Sequence, residues 1–205
     1  MSNILGLSVT ASRLATALPL FNECHPYQQI PFQYSLHVQN EPNSELEHYE
    51  YLSRDAVTLP AHELLSSLAG RVGPAGSVVT WNKSFEAARN REMALQYPEY
   101  AELMEGINNR IFDLMEIFSQ QHFVHHKFKG SSSIKKVLPV LVDGFSYDNL
   151  DITNGQAAAS RWYQAVSGST TKAEANKTFE SLLEYCKLDT LAMVEIYKKL
   201  VFISQ

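Results

Sequence analysis

Cysteine is almost missing from this 205-residue chain: two occur, Cys24 and Cys186, far apart in sequence. A disulfide framework or a zinc motif needs more of them at closer spacing, so neither is expected, and a reducing cytoplasm fits. Basic residues are outnumbered, with 17 Lys and Arg against 22 Asp and Glu, for a formal charge of −5. The overall positive footprint of a duplex-DNA binder is therefore missing, although a local basic patch remains open. No apolar run reaches the roughly 18 residues of a membrane span, so no membrane partner is expected. The opening segment, Met1 to Phe21, has no basic lead and is interrupted by Arg13. It reads as part of the fold, not as a signal peptide. Repeats and low-complexity tracts are absent as well. The remaining composition, 45% hydrophobic, 11% aromatic and 19% charged, is that of an ordered globular protein. A chain near this length buries roughly 70% of its unfolded surface, which suits one domain better than two.

Along the chain, apolar residues predict a first strand over Asn3 to Thr10. A second strand is clearer: Ile30, Phe32, Tyr34, Leu36 and Val38 alternate with polar neighbours, so one face is buried and the other is wet or paired. Turn chemistry over Asn40 to Ser44 then allows Leu46 to Leu52 to fold back as a hairpin. A helix is expected over Ala61 to Leu68. Ser77 to Trp81 follows as a short continuous strand, as a central strand covered on both faces would be. Asn82 or Ser84 can cap the next helix. Pro98 opens another, with Tyr100, Leu103, Ile107, Ile111, Leu114 and Phe118 at helical spacing, unless Arg110 to Leu114 is a short strand instead. Ser131 to Val142 reads as a helix bent at Pro139. The Thr171 to Glu174 capping box starts a long final helix whose stripe is Phe179, Leu182, Cys186, Met193, Tyr197 and Leu200. This order predicts an α/β layer with an antiparallel edge and at least one parallel crossover, with ligands at the carboxyl ends of the strands.

Two acids fall at element ends. Glu86 lies five residues past Trp81, in a first helical turn, where a carboxylate also simply complements the helix dipole. Asp189 sits at the edge of the final apolar stripe and needs a donor, a cation or a metal beside it. Tyr185, one turn earlier, points the same way. His122, His125 and His126, with the lysines after them, have the chemistry to bind metal or phosphate, but read more simply as a solvated loop. Lys127 and Lys129 follow them, and Lys135 and Lys136 follow three serines at a helix start, where the donors suit an anion but ordinary capping with a wet face is the simpler reading. Cys186 reads as a small core residue.

Five strings carry a resemblance: Pro26 to His37, Trp81 to Glu86, Asp113-Leu114-Met115, Gly130 to Pro139, and Tyr185 to Thr190. Through them, Phe21 to Leu200 resembles the bacterial family called domain of unknown function 2779. That family in turn resembles the ribonuclease-H-like 3′-to-5′ exonucleases with four acidic residues. The resemblance implies a three-layer α/β fold with a mixed sheet, an antiparallel hairpin edge and flanking helices. It implies one domain over residues 1–205, or the carboxyl-terminal part of a longer bacterial protein with a nuclease-like segment ahead of it. Asn82-Lys83-Ser84-Phe85-Glu86 is similar to the second exonuclease motif, with Glu in place of Asp. Tyr185 and Asp189 match the third, with Asp113 and Asn82 as supporting residues. By that resemblance Glu86 and Asp189 bind Mg²⁺ or Mn²⁺, and Tyr185 orients the attacking water. The pair is expected to face one pocket beside the opening strand.

The chain departs from this pattern at the first motif, Asp-x-Glu. Gly6 and Ser8 stand where its acids belong, and no acid occurs before Glu23. Residues 1–16 are atypical for the family. Glycine offers no ligand atom, and two carboxylates cannot neutralise two divalent ions. The expected function is therefore a weak or inactive metal-dependent exonuclease. The alternative is a non-catalytic module that holds single-stranded DNA or RNA through Lys127, Lys129, Lys135 and Lys136 with nearby aromatics such as Phe128, or that binds a protein partner.

Overall fold

The computed structural model describes residues 4–8 by their backbone, together with residues 21, 24–41, 44–148 and 150–205. The ends of the first expected strand, the opening segment read as part of the fold, and the centre of the 40–44 turn lie outside the described residues. Five strands form one sheet: β1 (Ile4–Ser8), β2 (Gln33–Gln39), β3 (Glu47–Leu52), β4 (Ser77–Thr80) and β5 (Ile111–Asp113). Their order is β3-β2-β1-β4-β5. The β1–β2 and β2–β3 pairs are antiparallel, and β1–β4 and β4–β5 are parallel. The protein is thus a mixed α/β fold with an antiparallel hairpin edge and parallel crossovers.

β2 explains how the sheet is covered. Its odd and even side chains point to opposite faces, and every one of its residues is buried. Tyr34, Leu36 and Val38 face α1 (Ala61–Ala69), where the Tyr34 hydroxyl and Ser67 Oγ are 2.7 Å apart. α2 (Lys83–Gln96) and α3 (Ala101–Asn108) complete that layer through Ala87, Met93, Met104 and Ile107. The polar face of β2 is paired, not wet. Gln33 Nε2 donates to the Leu182 carbonyl at 2.8 Å, and Ser35 and His37 meet the Thr190 hydroxyl at 2.7 and 2.8 Å. Both partners belong to the 32-residue final helix, which spans Lys172–Ile203 behind its capping box. The alternation therefore records two different helical coats.

Two short helices, α4 (Glu116–Ser119) and α5 (Ile134–Leu141), and α6 (Gly155–Val166) precede that last helix, α7. α5 contains Pro139 and is shorter than the 131–142 span expected. α6 is not among the helices expected from the sequence. It is held by Trp162, which stacks on Phe32 at 4.2 Å between ring centroids and donates its indole N–H to the Ser53 carbonyl at 2.8 Å. The helix expected from Pro98 through Phe118 does not form as one piece. A 3₁₀ turn at Pro98–Tyr100 leads into α3, which stops at Asn108, and Ile111 to Asp113 pair with Val78 to Thr80 as the strand alternative. Arg110 fixes the break: its guanidinium donates to the Gly73, Ala75 and Gly76 carbonyls and its Nε to that of Gly106. Four main-chain acceptors satisfied by one side chain outweigh three more residues of helical spacing.

Candidate functional site

The parallel strands β1, β4 and β5 share one carboxyl end, and Asn82, Glu86 and Asp113 lie where β4 and β5 end. β4 leaves the sheet at Thr80 and turns into α2 through Asn82, whose φ of 92° lies in the left-handed region that asparagine tolerates. Asn82 Oδ1 accepts from the Phe85 N–H at 3.2 Å as the helix cap. Asp113, at the end of β5, accepts from the main-chain N–H groups of Asn82 (3.0 Å), Lys83 (2.8 Å) and Met115 (3.0 Å). Asp113 thus spends its carboxylate on the strand-to-helix junction that holds Glu86, and it complements the α2 dipole as it does so.

Glu86 is buried in the first turn of α2, and its Oε2 has no hydrogen-bond partner. Burial pushes its carboxyl up to about 8, opposed by the Arg89 guanidinium one turn along. Arg89 is itself held by Glu92 at 2.6 Å.

Asp189 has a different setting. The Tyr147 hydroxyl donates to its Oδ1 at 2.6 Å, with the Tyr185 phenol as a second contact. Loss of water raises the Asp189 carboxyl, while the two phenols and the Lys135 ammonium pull it back. Burial and the Asp189 charge push both phenols above their usual range, so both stay protonated donors. Lys135 Nζ lies over both rings, 5.5 Å from the centre of Tyr147 and 5.9 Å from that of Tyr185, and donates to the Thr153 carbonyl. The partner that Asp189 needs is therefore a phenol pair and an ammonium. Tyr147 had no signal in the sequence, because it comes from a loop 42 residues before Asp189 and matches no spacing rule.

Lys135 and Lys136 line a cleft of about 460 Å³ with Ser131, Ser133, Tyr147 and Thr153. The structure so joins the lysine pair to Asp189 through Tyr147. Lys127 and Lys129 are exposed on the preceding turn and do not line this cleft. Phe128 corrects an expectation: it is buried against Phe118, Phe123 and His125 and cannot stack on a nucleic-acid base. Cys186 is fully buried in the α7 stripe, as a core residue.

Glu86 and Asp189 sit on different helices, α2 and α7. They lie toward the same end of the sheet, since Thr190 touches Ser35 and His37, the partners of Ser8 and Gly6. α2 and α7 pack into the cores on opposite faces, and among the described residues no hydrogen bond links the two carboxyls. Among the described residues no three His, Cys, Asp or Glu side chains gather as a metal site would require. With Gly6 and Ser8 at the first motif, the donor set does not fit two Mg²⁺ or Mn²⁺ ions, and Lys135 already supplies Asp189 with positive charge.

No solved structure matches this chain. An uncharacterized protein, UU173, of Ureaplasma parvum serovar 3 is 30% identical over 144 residues, which cover 61% of this chain and 21% of that protein. The chain thus spans about one fifth of the length of the curated relative it matches. A family model described as a domain of unknown function, DUF2779, matches residues 13–133. The match takes in Asn82, Glu86 and Asp113 and stops short of Lys135, Tyr185 and Asp189. Since that stretch is more than half of the 205 residues, the chain belongs to the DUF2779 family.

Proposed function

We propose that this domain holds single-stranded nucleic acid on a ribonuclease-H-like scaffold and cleaves it feebly or not at all. The scaffold reading is supported by the strand order, with three antiparallel strands beside two parallel ones, and by helices on both faces. The observation that carries the function is the cleft at the start of α5. Lys135 and Lys136 stand there beside Ser131 and Ser133, and Ser133 makes no side-chain cap. A phosphate in that cleft meets hydroxyl, ammonium and unpaired helix N–H donors, opposed by the Asp148 carboxylate, which accepts from Ser146 Oγ at 2.6 Å. The Tyr147 hydroxyl, turned toward Asp189, seats the cleft beside the third exonuclease-like motif.

Loss of catalysis follows from the donor count. With Gly6 and Ser8 in place of the first-motif acids, two carboxyls supply too little charge for a two-ion phosphodiester site. The catalytic reading keeps one observation in its favour: the unpartnered Oε2 of Glu86, which a divalent cation would satisfy.

The test is fluorescence anisotropy with a labelled single-stranded DNA or RNA, beside a degradation assay in Mn²⁺. Wild type binds in EDTA and leaves the strand intact. Lys136→Glu, and more strongly Lys135→Glu with Lys136→Glu, weakens binding while circular dichroism stays unchanged. Degradation that Asp189→Asn abolishes would restore the enzyme, and equal binding by the double variant would remove the cleft from the account.

A further inference from the structure

We propose that the cavity between the 24–31 loop and α2 is a nucleobase subsite, which receives one unstacked base of the strand held at the α5 cleft. The inference rests on the single-strand reading above and deepens it. The cavity measures about 640 Å³, within the range of roughly 300–1,000 Å³ found for small-ligand sites. β1 ends at Ser8, opposite Ser35, so the chain leading into β2 lies beyond the carboxyl end of the parallel strands. Arg89, in the cavity wall, is one helical turn from Glu86. The 24–31 loop therefore brings one wall of the cavity to the end of the sheet at which Glu86 begins α2.

Its chemistry suits a flat, uncharged, hydrogen-bonding ring. Tyr27 is 65% exposed and held at a φ of 63°, a left-handed conformation that an aromatic residue rarely adopts. Burial does not repay that strain, because the ring faces solvent at the rim. Leu95, 83% exposed, supplies a second apolar surface. Gln28, Gln29 and Gln96 line the same cavity. Gln28 Nε2 donates to Gln96 Oε1 at 3.4 Å, which leaves the Gln96 amide N–H groups to donate elsewhere. His25 Nδ1 faces the Pro26 carbonyl at 3.0 Å, and the neutral tautomer that donates there presents Nε2 as an acceptor. Arg89 is neutralised by Glu92 at 2.6 Å, so the wall attracts a phosphate or carboxylate weakly. Stacking surface plus amide donors and a ring acceptor is the combination that recognises an unpaired base.

The test uses nucleosides, which lack phosphate and bypass the lysine cleft. The full chain, labelled with ¹⁵N and ¹³C, is titrated with adenosine, guanosine, cytidine and uridine, and with an uncharged tetrapeptide amide. At least one nucleoside should shift the Tyr27 ring and the Gln28 and Gln96 amide signals saturably. Tyr27→Ala should weaken that binding by at least about fivefold, whereas Tyr27→Phe should stay within about twofold, because stacking needs the ring and not the hydroxyl. Lys135→Glu with Lys136→Glu should leave it unchanged. Silence with all four nucleosides overturns the subsite even if oligonucleotides bind at the lysine cleft. An equal response to the tetrapeptide also overturns it, in favour of a peptide groove. Nucleoside binding without any oligonucleotide binding would keep the subsite and remove the strand-holding function.

Discussion

Burial without a partner for Oε2 holds the Glu86 carboxyl near pH 8, so the folded protein keeps a proton there that the unfolded chain releases at about 4.5. The stability contributed by the neutral form is complete below pH 4.5 and is lost as pH rises toward 8. Each pKa unit corresponds to about 1.4 kcal/mol, so the loss amounts to a few kcal/mol. Glu86→Gln keeps the shape and removes the titration. Thermal melts should show little difference from wild type at pH 5 and a stabilised variant at pH 8.5. Parallel curves at all pH values would mean that water or a cation reaches the carboxylate. His37 works in the opposite direction. Burial first, then the nearby positive charges of His48, Lys187 and Lys198, lower it from 6.5 to about 4. Its neutral form contributes stability above pH 6.5 that is lost as pH falls toward 4. Asp189 belongs to the same scale: Tyr147→Phe removes the 2.6 Å donor, should cost about 1–3 kcal/mol in urea unfolding, and should raise the Asp189 pKa further.

At the level of elements, the junction of β4, β5 and α2 is the arrangement to break. Asp113→Ala leaves the N–H groups of Asn82, Lys83 and Met115 without their acceptor. A cost of about 3 kcal/mol in denaturant unfolding is expected, with α2 amides exchanging faster than those of α7. Asp113→Asn, which keeps one acceptor oxygen, should recover part of it. Elements whose signals are local were legible in the sequence. The Thr171–Glu174 capping box closes in both directions, and Asn82 caps α2 with its own side chain. Elements decided by distant partners were not. The strand at Ile111 to Asp113 depends on Arg110 reaching carbonyls 34 to 37 residues away, and α6 depends on Trp162 meeting Phe32 and Ser53.

Across the whole molecule the two titrations combine. Below about pH 4.5 His37 dominates the loss and above about pH 6.5 Glu86 does, so stability should plateau at roughly pH 5 to 6.5 and fall on both sides. A net charge of −5 also bears on recognition, since it repels a polyanion at long range and leaves attraction to the short-range lysine cleft. The salt dependence of oligonucleotide binding should therefore be shallow. Removing Lys135 and Lys136 should lower the slope of log affinity against log salt by about 1.4, at about 0.7 per contact.

Local chemistry was enough to announce a mixed α/β chain, its caps, its alternating strand and two acids at element ends, because propensity, periodicity and capping act within a few residues. It also showed that Gly6 and Ser8 cannot supply carboxylates, whatever the fold does with them. Packing alone settled the partners. It placed Tyr147 on Asp189 and Lys135 over the Tyr147 and Tyr185 rings, buried Phe128 away from solvent, turned Asp113 into a junction brace, and put α2 and α7 on opposite faces of the sheet. A side chain's charge state and neighbours are set by what the chain brings back from far along its length, and no short window of sequence contains that information.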